Sequence, residues 1–202
     1  KTNQPPFTEG RMSKLKGVRF APSPTGPFHI GNLRTAWISE RLARRTNEPW
    51  IVRVEDIDQP RVVAEAWNLQ RADLAELHLY PDEVVTQSSR YDRHLELFLK
   101  ARRDGLIYPC DCSRRDVLES LSRMATAPHE PSPEYSGRCR NRPKNENYQP
   151  VETLAWRWRS TETSGHHDLI IARSDIHGKM FVPGYNWACA IDDADGSYRL
   201  LV

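Results

Sequence analysis

The chain has 202 residues, with 29 Lys and Arg against 27 Asp and Glu and 38% apolar residues. That balance excludes a fibrous, collagen-like or wholly disordered protein, and the length suffices for one large domain or two small ones. No apolar stretch nears the roughly 18 residues of a membrane helix. The opening KTNQPPFTEGRMSKLKG lacks the apolar centre of a secretory signal, so residues 1–16 read as a disordered tail.

In chain order, VRFA (18–21) predicts a short strand, and APSPTGP a loop, because three prolines and a glycine forbid regular structure. From Ile30 to about Thr46, Leu33, Ala36, Trp37 and Leu42 recur at helical spacing. WIVRVE (50–55) is short and rich in β-branched residues, as in a buried strand. Val63, Trp67, Leu74 and Leu77 make one stripe of a helix over 61–78. Tyr91, Leu95, Phe98 and Leu99 predict a second helix over 90–104, stopped at Gly105.

Ser113 and Asp116 resemble a capping box that opens a helix to about residue 126. Residues 127–150 are rich in Pro, Asn and Ser and predict an irregular excursion. Leu154, Trp156 and Trp158 alternate with polar residues, a strand signal, and DLIIAR (168–173) predicts another strand. Residues 185–193 and 197–202 flank ADG, which reads as a hairpin turn, with Cys189 turned inward beside Trp187 and Ile191 as a plain core thiol. Strand, loop, helix and strand at the front form the βαβ grammar of a parallel sheet. Such sheets bind ligands at the carboxyl ends of their strands, where the loop over 21–29 falls.

The charge is unevenly spread. Residues 1–50 carry nine basic and three acidic groups, and residues 101–145 carry nine and six. Either zone can face a polyanion, although solvated faces of Arg-rich helices explain the charge equally well.

RFAPSPTGPFHIGN (19–32) is the most informative stretch: a proline-stiffened loop ends in His29-Ile30-Gly31-Asn32 at a helix start. Free N–H groups there suit phosphate, and His29 can stabilise charge that builds during phosphoryl transfer. Gly31 lets a flat base approach the backbone, and Asn32 adds a neutral polar donor. Neither a P-loop nor a dinucleotide fingerprint is present.

HIGN resembles the HIGH signature of class I aminoacyl-tRNA synthetases, with Asn in the last place. RFAPSPTG together with RVEDID (53–58) is similar to the glutamyl synthetase group in particular. The resemblance implies an α/β fold: a Rossmann-type parallel sheet forming the catalytic core, with a small zinc-bearing insertion. It implies that His29 and Asn32 are catalytic and, with Gly31, bind ATP. It further implies that Arg19, Phe20, Ala21, Pro22, Ser23 and Glu55 line an amino-acid pocket. The chemistry suits glutamate: Arg19 offers a planar fork to a carboxylate, Glu55 a partner for the ammonium, and Ser23 a further hydrogen bond. GYNWACAIDD (184–193) resembles the family's Tyr-x-x-Ala-x-x-x-Asp-Asp segment, in which the Tyr, here Tyr185, reaches the bound amino acid.

Cys110, Cys112 and Cys139 form a candidate zinc set, since zinc takes four ligands and favours thiolates. Their clustering suits a metal site in a reducing compartment better than a disulfide framework. From spacing alone the fourth ligand stays open between Tyr135, His129 and Glu134, Tyr being uncommon because its phenolate is costly. Here the chain resembles the glutamyl-queuosine tRNA(Asp) synthetases, short relatives of the glutamyl group that carry Cys-x-Cys followed by Tyr-x-x-x-Cys. That resemblance implies Cys110, Cys112, Tyr135 and Cys139 as ligands of a structural Zn2+. The spacer between Cys112 and Tyr135 is longer than is usual in those proteins. Arg11-Met12-Ser13-Lys14 resembles a KMSKS loop but lies on the wrong side of the HIGH-like element and reads as chance.

The reaction implied is attack of glutamate on the α-phosphate of ATP, with Mg2+. The glutamyl group then passes to queuosine at the wobble position of tRNA(Asp). The short relatives activate glutamate without tRNA, whereas full synthetases of this group need it. The alternatives are the catalytic fragment of a full glutamyl-tRNA synthetase, and a non-catalytic zinc-stabilised RNA-binding paralogue. The expected organisation is a tail (1–16), the first half of the catalytic domain (17–108), a zinc-binding insertion (109–150) and a return to the catalytic domain (151–202). The apolar ending Leu200-Leu201-Val202 is expected to lie inside the sheet of a longer domain, ahead of the KMSKS-like loop, which leaves these residues alone poorly active. A cytoplasmic monomer without membrane attachment is expected.

Overall fold

The structure is a computed structural model that describes residues 17–113, 135–141, 154–161, 168–174 and 181–202. The expected tail (1–16), the helix after Ser113 and most of the excursion over 127–150 lie outside the described residues, as do His129 and Glu134. The chain forms two compact units. One comprises the described residues up to Asp92 together with Ala188–Val202, the other Arg93–Trp187.

The first unit is built on a parallel sheet. β1 (Val18–Phe20) leads to α1 (Ile30–Thr46), β2 (Trp50–Val54), α2 (Ala66–Glu76) and β3 (Glu83–Thr86). The strand order is β3-β2-β1-β8, with β8 at Leu200–Leu201, and every pairing is parallel. All five residues of β2 are buried, as expected for a strand covered on both faces. α1 turns Ala36, Ser39 and Ala43 inward, small residues that let it approach the sheet. Ser39 Oγ accepts the indole N–H of Trp50 at 2.9 Å, satisfying the one polar atom of that buried ring. The helix ends at Asn47 in the left-handed conformation (φ 54°), and Arg44 and Arg45 complement the dipole of its last turn.

The second unit contains α3 (Tyr91–Arg103), which begins at the unit boundary, and an antiparallel sheet in the order β4-β5-β6-β7. These strands are Ile107–Cys110, Ala155–Trp158, Ile170–Ser174 and Phe181–Pro183. Phe98, Ala101, Ile107, Ile171 and Ala172 form its core, flanked by Trp156, Trp158 and Phe181. Phe98 meets Trp156 edge-on at 5.3 Å between ring centroids.

Several expectations need correction. Residues 185–193 do not form a hairpin arm: α4 runs from Tyr185 to Gly196, and β8 follows it. Short apolar runs do not separate strand from helix, and Ala188, Ile191 and Asp192, buried at spacings of three and four, are the helical signature. The helix expected over 61–78 is preceded by a 3₁₀ turn at Gln59–Arg61 and starts only at Ala66, leaving Val63 and Leu77 exposed. In β5 the buried alternate positions are Ala155 and Arg157, with Trp156 and Trp158 half-buried on the other face. β3, β4 and β7 carry no strand signal strong enough to have been singled out.

Candidate functional site

In the first unit the loop over 21–29 leaves the carboxyl end of β1 and enters α1. His29 caps the helix: its Nδ1 accepts from the N–H of Gly31 at 3.0 Å, while Asn32 Oδ1 accepts from the N–H of His29 at 3.2 Å. The last residue of HIGN thus has a structural use, closing a reciprocal cap. Because Nδ1 accepts, the neutral ring carries its proton on Nε2, and the exposed imidazole presents that N–H as a donor. Gly31 makes room for this ring, since a Cβ there would lie 2.8 Å from His29 Cε1.

The loop is held from α2, through residues that carry no motif. Gln70 Nε2 donates to the carbonyls of Ser23 (3.0 Å) and Gly26 (2.7 Å), and Asp73 accepts from the N–H of Phe28 at 3.2 Å. Two backbone bonds add to this: Glu55 N–H to Pro22 O and Val63 N–H to Pro24 O, both 2.9 Å. Phe20 and Pro22 are buried, Ala21 is half-buried and Ser23 is exposed. Phe20 packs against Phe28 and Trp50, so its ring belongs to the core beneath the loop.

Arg19, Arg53 and Glu55 form one charge array with the tail of α4. Arg53, fully buried, donates to Glu55 Oε1 at 2.8 Å and to Asp193 Oδ1 at 2.6 Å. Arg19 Nε lies 3.2 Å from the same Asp193 oxygen. Burial opposes the charge of Arg53, but the hydrogen bond to Glu55 and the charge of Asp193 outweigh it and hold the guanidinium protonated. The neighbouring Asp192 turns the other way, to Gln87 (2.8 Å) and Arg90 (2.7 Å). Cys189 is not the plain core thiol expected: it donates to Glu55 Oε1 at 3.2 Å. Burial, with the charge of Glu55, pushes its thiol up to about 11. Tyr185 opens α4 in the second unit and is 59% exposed.

The second unit gathers the four sulfur and phenol donors. The sulfurs of Cys110, Cys112 and Cys139 all lie within 4.8 Å of one another. Cys112 and Cys139 are 3.6 Å apart, and Tyr135 Oη sits 3.5 Å from Cys110 Sγ. The N–H of Cys139 donates to that phenol oxygen at 2.8 Å, fixing the ring. A hydrogen bond from Cys139 pushes the Cys110 thiol down to about 4, and Tyr135 and Arg157 add to this against the cost of burial. The Cys112 thiol is raised by burial, and that of Cys139 by its bond to Cys110. Three thiols around one point are a donor set that fits a thiophilic divalent metal. Sequence spacing pointed to the three cysteines, and Arg53 was the alternative partner that the sequence offered Glu55; Gln70 and Asp73 carry no local signature, because a side chain that serves a distant loop backbone is recognisable only once the chain is folded.

A parallel α/β sheet with a His-capped helix start beyond its carboxyl edge defines a Rossmann-type catalytic domain. The chain belongs to the family described as tRNA synthetases class I (E and Q), catalytic domain, which matches residues 17–197. It is 34% identical over 197 residues to a glutamyl-Q tRNA(Asp) synthetase of Nocardia farcinica, covering 87% of this chain and 58% of that protein. It is 43% identical over 131 residues to the protein of the same name from Cupriavidus metallidurans, covering 64% and 42%. It is 35% identical over 203 residues to a glutamate–tRNA ligase 1 of Alkalilimnicola ehrlichii, covering 91% and 41%. The chain thus spans about half the length of the curated relatives it matches. A crystal structure of a glutamate tRNA ligase from Elizabethkingia meningosepticum, in complex with its amino acid, shares the fold. Its TM-score is 0.69 at 23% identity, over 94% of this chain and 43% of that one. Among the described residues no helix is long and apolar enough to cross a membrane.

Proposed function

We propose that the protein activates glutamate with ATP and Mg2+ to glutamyl-adenylate and transfers the glutamyl group to queuosine in tRNA(Asp). The observation that carries the activation step is the placement, in one unit, of a His-capped helix start and the buried Glu55 at the ends of adjacent parallel strands. His29 Nε2–H supplies a donor to the phosphates, aided by the positive end of the α1 dipole. Glu55, with one oxygen occupied by Arg53 and Cys189, offers its charge to the substrate ammonium. Arg19, Ala21 and Ser23 complete the amino-acid pocket in this reading, with Phe20 and Pro22 supporting the loop from below.

The acceptor rests on the relatives named glutamyl-Q tRNA(Asp) synthetase and on the Cys110, Cys112, Tyr135 and Cys139 cluster, which in this reading is the seat of a structural Zn2+. Four free cysteines support a reducing, cytoplasmic setting, and the protein acts as a monomer. The similarity to a glutamate–tRNA ligase favours one second reading, the catalytic part of a full glutamyl-tRNA synthetase.

The test is glutamate-dependent ATP–pyrophosphate exchange by the full-length gene product, with and without tRNA. Exchange without tRNA, followed by transfer of labelled glutamate to queuosine-bearing tRNA(Asp) alone, supports the proposal. Exchange only with tRNA supports the second reading. RNA binding with no exchange refutes both.

A further inference from the structure

Arg157 occupies an unusual position beside the cysteine cluster. It lies in the middle of β5, at a register irregularity between Trp156 and Arg157, and is only 6% exposed. Its Cζ sits 3.6 Å from the centroid of the Tyr135 ring. Nη1 donates to the backbone carbonyl of Asp168 at 2.7 Å, and the side chain also hydrogen-bonds Cys110. Nε is buried without a partner among the described residues.

The nearby carboxylate is not its counter-ion. Asp168 spends both side-chain oxygens on Arg140, Tyr108 and the N–H of Ser160. Among the described residues no carboxylate forms an ion pair with Arg157. A buried cation without a counter-charge is strongly disfavoured, so the compensating charge has to come from elsewhere. Among the described residues the cysteine sulfurs are the anionic groups that bear on Arg157, the exposed Asp111 carboxylate accepting instead from Cys139 Sγ at 3.3 Å. A divalent metal held by three thiolates carries one net negative charge, and by three thiolates and a phenolate, two.

We propose that Arg157 is the counter-cation of a tris-thiolate divalent metal centre formed by Cys110, Cys112 and Cys139. Its guanidinium balances the excess negative charge and, stacked on Tyr135, holds the phenol oxygen at the cluster. Arg157 is thereby a positioning residue that acts through the ligands. This rests on the metal reading of the cluster given above.

The experiment measures zinc affinity by chelator competition, the zinc-induced rise in melting temperature, and the thiolate-to-metal charge-transfer band of the cobalt(II) form. It compares the unaltered protein with Arg157→Met and Arg157→Lys. Outer partners of metal ligands typically contribute about 10–100-fold in affinity. Arg157→Met is expected to weaken zinc binding about 10-fold or more and to shrink the zinc-induced rise. Arg157→Lys, which keeps the charge, is expected to recover most of both. Should Arg157→Met not fold, Arg157→Gln, which keeps donors without charge, takes its place. Unchanged zinc affinity in the neutral variant, with only the metal-free melting temperature lowered, overturns the proposal and leaves Arg157 a framework residue. An unaltered protein that takes up no stoichiometric zinc or cobalt overturns the metal reading itself, and this proposal with it.

Discussion

Arg53 donates to Glu55 Oε1 at 2.8 Å from two residues earlier in the chain, so β2 and the residue just past its end carry the two members of a buried ion pair on the same side. The pair is extended by Asp193, which bridges Arg53 to Arg19. Removing the central cation strands the buried Glu55 and leaves Asp193 with Arg19 alone. Arg53→Met is therefore expected to lower stability by about 3–5 kcal/mol, read as a lower urea midpoint. Glu55→Gln keeps a hydrogen-bond acceptor for Arg53 and loses the charge. It is expected to fold and to lose about 100-fold or more in kcat/KM for glutamate in pyrophosphate exchange.

The helix start permits a second test. Asn32→Ala removes one half of the reciprocal cap and is expected to cost about 1 kcal/mol in chemical denaturation. Gly31→Ala adds a methyl group that meets the His29 ring at 2.8 Å. The ring must move off its cap, so exchange activity is expected to fall by at least 10-fold, while the lost cap bond is largely offset in the urea midpoint by the better helix propensity of Ala, about 1 kcal/mol each way.

Gln70 is 2% exposed and serves two loop carbonyls from α2. Gln70→Ala removes the donor to Gly26 and leaves Ser23 with only the N–H of Thr25 (2.9 Å), and is expected to cost about 1–3 kcal/mol. Hydrogen exchange would show the effect locally, as faster exchange of the Glu55 and Val63 amides that bond the same loop.

Cys189 gives a pH signature. Its folded thiol is raised to about 11 by burial and by Glu55, above the ordinary value of about 8.5. The protonated form is favoured by the fold, so its contribution is complete below about pH 8.5 and is lost as pH rises toward 11. Stability of the unaltered protein minus that of Cys189→Ala should fall across that window. A difference that stays flat from pH 8 to 11 would contradict the placement of the thiol against Glu55.

Much of the framework is legible in the chain. The apolar spacing of α1 ends where the structure ends it, at Thr46, and the β-branched run of β2 is buried throughout. α3 stops at Gly105, whose φ of 71° suits a residue without a Cβ. The α4 segment misled because its alternating Trp187, Cys189 and Ile191 also satisfy a helix, and local periodicity cannot choose between the two over so short a run. The Trp-rich β5 was recognised as a strand, but its more deeply buried face carries Arg157, against the usual ranking of side chains.

The amino-acid sequence by itself pointed to the parallel α/β sheet, the helix start at HIGN and the set of three cysteines, because these are local patterns of spacing and side-chain chemistry, while the Rossmann-type class and Tyr135 entered through the family resemblance. Only the tertiary structure decided which buried charges meet. Asp193 reaches Arg53 across 140 residues of chain, Cys189 reaches Glu55 across 134, and the two halves of the cysteine cluster come from separate segments. A buried polar group is stable only with a partner, and the partner is chosen by whichever side chain the packed strands and helices bring within hydrogen-bond reach.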